Sequence, residues 1–121
     1  MTRKSQLGEE GENTACKYLI ENKYKILERN FKKPWGELDI VAKDPDGTLV
    51  FIEVKTIEKA QSNYLSAEDQ MTSSKISKTA RMAEGYASAN PKFINEKRGW
   101  RIDLIAINFL PEFSIKHYKN I

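Results

Sequence analysis

The sequence predicts a single α/β domain with the element order αβββαβ(β) across its 121 residues. Two stretches, at about 5–22 and 72–90, have apolar residues spaced three and four apart, as in helices that bury one face. Three strand-like runs lie between them, and a further run follows the second helix. The chain length suits one domain. Because the last crossover passes through a helix, we expect the fourth strand to lie parallel to the third in a mixed sheet.

The composition excludes several classes of protein. Hydrophobic residues make up 40% of the chain and charged residues 31%, as in soluble globular proteins. No apolar run approaches the roughly 20 residues of a membrane helix, and the charged N-terminus lacks the apolar segment of a signal peptide. Cys16 is the only cysteine, so we expect a small core residue in a reducing, cytoplasmic setting. The formal charge of +3 permits a polyanionic partner.

The first half of the chain contains one helix and three strands. The apolar stripe of the helix, predicted over 5–22, consists of Leu7, Gly11, Ala15, Tyr18 and Leu19. Strands are predicted over 24–31, 36–43 and 48–56, where β-branched and aromatic residues are frequent. The sequence Asp44-Pro45-Asp46-Gly47 predicts a turn, because proline presets its own φ and glycine accepts a left-handed backbone.

The second half contains one helix and two strands. Residues 59–70 are polar and predict a loop. Thr72 is a good N-cap residue, and the apolar stripe after it predicts a helix that ends before Pro91. Strands are predicted over 100–107, with the sequence WRIDLIAI, and over 113–118, with the sequence FSIKHY.

The turn sets the register of the second and third strands. A three-residue loop with glycine last places Asp39 opposite Glu53 and Glu37 opposite Lys55. A two-residue loop would shift the register by one and separate Asp39 from Glu53. The residues predicted to share the opposite, apolar face are Leu38, Ile40, Ala42, Val50, Ile52 and Val54.

Two interpretations of these charges remain open. They are either a solvated strand end, with Glu37 and Lys55 as a cross-strand pair, or a metal site. Directly opposed carboxylates cost roughly 0.2–1 kcal/mol, which favours a bound cation between Asp39 and Glu53. A hard divalent metal would take both as ligands, and the neighbouring Lys55 could stabilise a phosphate, as phosphodiester hydrolysis requires.

The stretch Asp39…Glu53-Val54-Lys55 resembles the PD-(D/E)xK nuclease signature. More closely, the chain is similar to the YraN-like family, relatives of Holliday-junction resolvases. The resemblance covers nearly the whole chain through "GEEGENTACKYL", "ILERNFKKPWGELDIVAKD", "LVFIEVKT", "RIDLIAI" and "IKHYKNI". It implies one nuclease-like domain over 1–121 with the restriction-endonuclease-like fold, a mixed sheet flanked by helices.

The resemblance also implies roles for individual residues. Asp39 and Glu53 would bind Mg²⁺ or Mn²⁺ and act in catalysis, with Lys55 as the catalytic lysine. Glu12 would be a further metal ligand, although a boundary salt bridge is an equal alternative. Glu37 would position Lys55.

Other residues bear on the partner. Lys75 and Lys78, at the start of the second helix, are candidates for phosphate contacts, with solvated lysines as the alternative. The family's usual basic residue two positions after the motif lysine is Ile57 here, which weakens the expected affinity for nucleic acid. The two tryptophans, Trp35 and Trp100, are expected to be core or rim residues rather than base-stacking platforms.

The other two candidates are polar residues of the last strands. Asp103 could face the same site or pair with Arg101 or another cation. His117 is expected to be a polar surface residue, since a lone histidine makes a poor metal site.

The expected function is therefore a metal-dependent endonuclease or a nuclease-related DNA-processing protein that hydrolyses phosphodiester bonds. The alternative is a non-catalytic nucleic-acid-binding module, and a third is a protein-interaction scaffold. The expected partner is nucleic acid, with DNA favoured, and no membrane. The sequence leaves open whether the nucleic acid is DNA or RNA, whether it is branched or single-stranded, and whether the protein is a monomer or a homodimer.

Overall fold

The structure is a computed structural model that describes residues 3–57 and 71–121, so the loop predicted over 59–70 lies outside the described residues. The elements, in chain order, are α1 (Arg3–Glu21), β1 (Lys25–Lys33), β2 (Gly36–Lys43), β3 (Leu49–Ile57), α2 (Ser73–Ala89), a 3₁₀ turn (Pro91–Phe93), β4 (Trp100–Asn108) and β5 (Ser114–Tyr118). Each predicted helix and strand is confirmed, with β1 extending two residues further than expected. No helix in the described part of the chain has the length and apolarity needed to span a membrane.

The five strands form one mixed sheet in the order β1-β2-β3-β4-β5. The pairs β1–β2, β2–β3 and β4–β5 are antiparallel, whereas β3 and β4 are parallel. The predicted parallel crossover is confirmed. β3 pairs with β2 up to Ile52, and its last residues, 53–57, pair with β4 alone.

Each face of the sheet is covered by one helix. The cluster on the α1 face consists of Ala15, Cys16, Leu19, Tyr24, Ile40, Ala42, Val50, Ile52, Ile105 and Ile107. The cluster on the α2 face consists of Leu38, Val41, Leu49, Phe51, Met82, Ala83, Tyr86, Ala87 and Ile102. Both faces are therefore buried, and Cys16 is a core residue as predicted.

The predicted face of Leu38 was wrong. It packs in the α2 cluster, whereas Ile40, two residues later, packs in the α1 cluster. Regular strand alternation would put both on one face, so the alternation along β2 is broken at Asp39. The neighbouring strand is also irregular here, because Asn30 has a left-handed φ of 53°.

The turn between β2 and β3 forms as predicted. Gly47 has φ of 93°, and its N–H donates to the carbonyl of Asp44 at 3.0 Å. The N–H of Asp44 donates to the carbonyl of Thr48 at 3.0 Å, so these two residues close a three-residue loop. Likewise, the Thr72 hydroxyl accepts from the N–H of Lys75 at 3.3 Å, which confirms Thr72 as the N-cap of α2.

A buried polar network lies on the α1 face of β4. The Asp103 side chain is fully buried and accepts hydrogen bonds from Arg101 Nε at 2.9 Å and from the Asn120 N–H at 2.9 Å. Its Oδ2 lies 2.7 Å from His117 Nε2, and the other ring nitrogen of His117 lies 3.0 Å from the Tyr18 hydroxyl. Asp103 therefore pairs with Arg101, which confirms one of its two predicted alternatives.

The expectation that His117 is a surface residue was wrong, because only 6% of its side chain is exposed. The antiparallel pairing of β5 with β4 sets Ile105 opposite His117, and Tyr18 of α1 covers the ring. Arg101 links this network to the β2–β3 turn through a hydrogen bond of 2.6 Å from Nη1 to Asp44 Oδ2.

Candidate functional site

The hairpin register brings Asp39 beside Glu53. The β2–β3 ladder runs from Lys43 paired with Leu49 to Ile40 paired with Ile52, which confirms the predicted register. The next residues in that register are Asp39 and Glu53. At this point the Asp39 side chain enters the ladder, and its Oδ2 accepts the Val54 N–H at 2.9 Å. The two carboxyl groups therefore meet where the strands β2 and β3 part.

Asp39 is protonated more easily than an ordinary aspartate. Burial, the largest cause, and the negative charge of Glu53 together raise the pKa of Asp39 from 3.8 to about 7, against the hydrogen bond from Val54, which lowers it. A hydrogen bond between the Asp39 and Glu53 carboxyl groups also favours the protonated form. Two carboxyl groups this close repel each other when both are ionised, and a cation between them would remove that repulsion.

Helix α1 brings a third carboxylate towards this pair. The helix lies close to β3 at Gly11, where an added methyl group would clash with Thr56 Oγ1. Glu12 is the next residue, and its pKa is raised by burial and then by the charge of Asp39. Within the described part of the chain, its Oε1 is buried and has no hydrogen-bond partner. An oxygen in this state is costly unless it receives a hydrogen bond or a cation.

Lys55 lies on the same face of β3 as Glu53. Its Nζ is 3.3 Å from Glu53 Oε1, and 27% of its side chain is exposed. Among the described residues, this ion pair replaces the expected pair with Glu37, which is exposed. The β2–β3 ladder ends at Ile40, before Glu37 and Lys55 would meet, and the role of Glu37 in positioning Lys55 stays a prediction.

A cleft of about 200 Å³ opens between the hairpin and α2. It is lined by Trp35, Gly36, Glu37, Glu53, Met71, Lys75, Lys78, Thr79 and Met82. The structure thus brings the two predicted phosphate-binding lysines, Lys75 and Lys78, to the cleft that Glu53 faces. Gly36 is required for this approach, because an added methyl group would lie 2.9 Å from Met82 Cγ.

The donor set fits a hard divalent cation in part. Asp39 and Glu53 offer adjacent carboxylate oxygens, and Glu12 supplies a buried oxygen without a partner. No three His, Cys, Asp or Glu side chains in residues 3–57 and 71–121 converge closely enough to form a complete metal site. Two carboxylates are nevertheless enough for Mg²⁺, which usually keeps several water ligands.

Trp35 is a rim residue, one of the two positions predicted for it. Its side chain is 71% exposed, so it is not a core residue, and it lies at the rim of the cleft. The sequence feature that indicates this exposed position is the segment Lys-Lys-Pro-Trp-Gly in which Trp35 lies. Trp100, by contrast, packs edge-on against Phe51 with ring centroids 5.6 Å apart, as expected of a core or rim residue.

The Asp39→Asn variant, measured in metal-free buffer, tests whether the pKa of Asp39 is raised in the folded protein. In the folded protein Asp39 keeps its proton up to a pKa of about 7, whereas an unfolded aspartate loses it near 3.8. The folded state therefore binds more protons in this window, and wild-type stability falls as pH rises from about 4 to above 7. Asparagine does not titrate, so we expect the stability of the variant relative to wild type to rise by about 2–3 kcal/mol between about pH 5 and about pH 8.

Urea unfolding of the variant and of wild type, at about pH 5 and at about pH 8, measures this change in relative stability. Glu37→Gln removes an exposed carboxylate nearby and should give a much smaller change with pH. A stability difference between Asp39→Asn and wild type that is the same at both pH values would show that Asp39 is ionised throughout.

The fold and the site define a class: a mixed α/β protein with a carboxylate cluster at the end of a β-hairpin. The model of the uncharacterised protein family UPF0102 matches residues 11–107. A UPF0102 protein of Francisella tularensis subsp. novicida is 41% identical over 116 residues, which cover 95% of this chain and 92% of the relative. A UPF0102 protein of Desulforamulus reducens is 34% identical over 119 residues, covering 98% and 94%. The chain belongs to the UPF0102 family, which confirms the resemblance to YraN-like proteins.

Proposed function

We propose that this protein is a metal-dependent endonuclease of restriction-endonuclease-like fold that hydrolyses phosphodiester bonds in nucleic acid, with DNA favoured. One observation carries the proposal: the hairpin register brings the Asp39 and Glu53 carboxyl groups side by side where β2 and β3 part, next to Lys55. A structural role does not require two acids in this contact, because it opposes folding when both are ionised. A divalent cation between them would remove the repulsion.

Each residue of the site would have a separate role in hydrolysis. Asp39 and Glu53 would hold Mg²⁺ or Mn²⁺, which supplies Lewis-acid activation of a phosphate oxygen and a water molecule. The Lys55 ammonium, already beside Glu53, would stabilise the negative charge that develops on the phosphate. The free Oε1 of Glu12 would accept a hydrogen bond from a water molecule or contact the cation.

The cleft supports nucleic acid as the substrate. Lys75 and Lys78 line it from α2, on the side facing Glu53, so a phosphate held by the lysines would be close to the carboxylates. With few cations at the site, binding should be weak and should fall steeply as the salt concentration rises.

Calorimetric titration with Mn²⁺ tests the metal site without a measurement of activity. We expect one Mn²⁺ site in wild type. Glu53→Gln should remove it, because the substitution replaces one of the two proposed carboxylate ligands with a neutral amide. Glu37→Gln is the matched control, because Glu37 lines the same cleft but is exposed. It should retain the site. Equal Mn²⁺ binding by wild type and Glu53→Gln would contradict the proposal.

One observation favours a second candidate, a nucleic-acid-binding module without catalysis. The described residues contain no convergent group of three metal-ligating side chains. In that case the protein would bind nucleic acid equally well with Mg²⁺ or with EDTA, and Glu53→Gln would leave binding unchanged. Cleavage of a bound oligonucleotide in Mg²⁺ separates the two candidates.

A further inference from the structure

Trp35 is unlike the other large hydrophobic side chains on this surface. The described residues that combine large size with high exposure are Ile20, Trp35, Leu110 and Phe113. Phe113 packs against Phe109 with ring centroids 5.9 Å apart, in the β4–β5 connection. Trp35 is the most exposed of the four at 71% and borders the cleft that contains Glu53.

The backbone holds Trp35 in a defined position. Lys33 pairs with Gly36, so Pro34 and Trp35 form a two-residue turn at the end of the β1–β2 hairpin. Proline restricts the backbone at the first turn position, and a two-residue loop leaves little freedom at the second. The indole ring is therefore exposed to solvent on a backbone with little conformational freedom.

Lysines lie near the turn that carries the indole. Lys32 and Lys33 immediately precede it and are exposed, and Lys75 and Lys78 line the cleft from α2, together with Glu37 and Glu53. An exposed aromatic ring among lysines, next to a carboxylate site, suits a ligand with flat apolar rings and a negatively charged backbone. A nucleotide strand with unpaired bases has both properties, whereas paired bases in a duplex hide their ring faces.

We infer that Trp35 stacks on an unpaired base of a single-stranded DNA segment and places the adjacent phosphate in the cleft. This inference rests on the proposed function and specifies its substrate class: DNA with unpaired nucleotides rather than continuous duplex. The lysines contact phosphates in either form of DNA, so the discrimination comes from the indole.

The test is a binding titration in EDTA, where the metal site plays no part. Labelled thymidine oligonucleotides of about 12 residues, and a blunt duplex of equal length, are titrated with protein at low salt. We expect Trp35→Ala to weaken binding to the single strand about ten- to hundredfold and to change duplex binding less than twofold. Phe113→Ala, which removes another exposed aromatic ring, from the β4–β5 connection, should change neither.

Fluorescence supplies a direct reading of stacking. The chain has two tryptophans, so Trp100→Phe leaves Trp35 as the single emitter. The single strand should quench its emission at the concentrations that give binding. Unaltered emission, or a Trp35→Ala variant that binds the single strand as wild type does, would overturn the inference.

The outcomes also separate this inference from the proposed function. Equal losses of single-strand and duplex affinity in Trp35→Ala would overturn the inference and leave the nuclease proposal standing. A tryptophan-dependent preference for single strands, with no Mn²⁺ site in calorimetry, would support the role of Trp35 and contradict catalysis. Failure of wild type to bind either oligonucleotide would overturn the inference and the choice of DNA as partner.

Discussion

The Lys55→Met variant should lose about two to three orders of magnitude in the rate of phosphodiester hydrolysis, the largest effect expected here. Methionine keeps the unbranched stem but removes the ammonium, which lies 3.3 Å from Glu53 Oε1. In a half-exposed position this ion pair contributes at most about 1 kcal/mol to stability, so the fold should persist. Cleavage of a labelled oligonucleotide in Mg²⁺, at saturating substrate, measures the effect.

Two controls accompany the Lys55→Met measurement. Mn²⁺ binding should be retained or strengthened, because a positive charge leaves the vicinity of the carboxylates. Lys25→Met removes an exposed lysine at the other end of the sheet, where β1 begins, and should leave the rate unchanged. Full activity in Lys55→Met would identify Lys55 as a structural partner of Glu53.

Asp103→Ala should lower the free energy of unfolding by about 3–5 kcal/mol. Asp103 is completely buried, and its carboxylate compensates the Arg101 guanidinium and lies 2.7 Å from His117 Nε2. Burial would raise the pKa of Asp103, but the hydrogen bonds from His117 and Arg101 outweigh it and lower the pKa below 3.8. Alanine removes the acceptor of Arg101 Nε and of the Asn120 N–H and the partner of His117 Nε2, and it leaves Asp44 as the only carboxylate paired with Arg101 among the described residues.

Urea unfolding at neutral pH measures the loss. Glu84→Ala, which removes an exposed carboxylate on α2, should change stability by less than about 0.5 kcal/mol. A comparably small change in Asp103→Ala would mean that water or another group satisfies Arg101 and His117. The Mn²⁺ titration of the folded variant should match wild type, because the network lies on β4, away from the hairpin end.

The sequence alone predicted the architecture and the position of the site. Asp44-Pro45-Asp46-Gly47 carries its turn type in its residues, since Gly47 adopts φ of 93° and the loop has three residues. This turn sets the register of β2 and β3, and the register places Asp39 next to Glu53. The crossover helix requires β4 to be parallel to β3. These features follow from the backbone preferences of the turn residues and from the alternation of side chains along the strands. Both are set by residues close together in the chain.

The tertiary structure alone decided which side chains become partners. Lys55 pairs with Glu53 rather than Glu37, because the strands part before Glu37 can reach it. His117 is buried because a residue of α1, 99 positions away, covers its ring. Such contacts depend on how elements distant in sequence pack, and residue type does not carry that information.

The same division applies to the cleft. Residue spacing placed Glu53 on β3 and the two lysines Lys75 and Lys78 on α2, but only the packing of α2 over the hairpin brought them to one cavity. Gly36 permits that packing by leaving room for Met82. Trp35 could be located in a turn from its neighbours, but its exposure and its place beside the cleft are properties of the packed structure. The sequence by itself thus determined the elements, the register and the carboxylate pair, and the three-dimensional packing decided which charges and rings surround that pair.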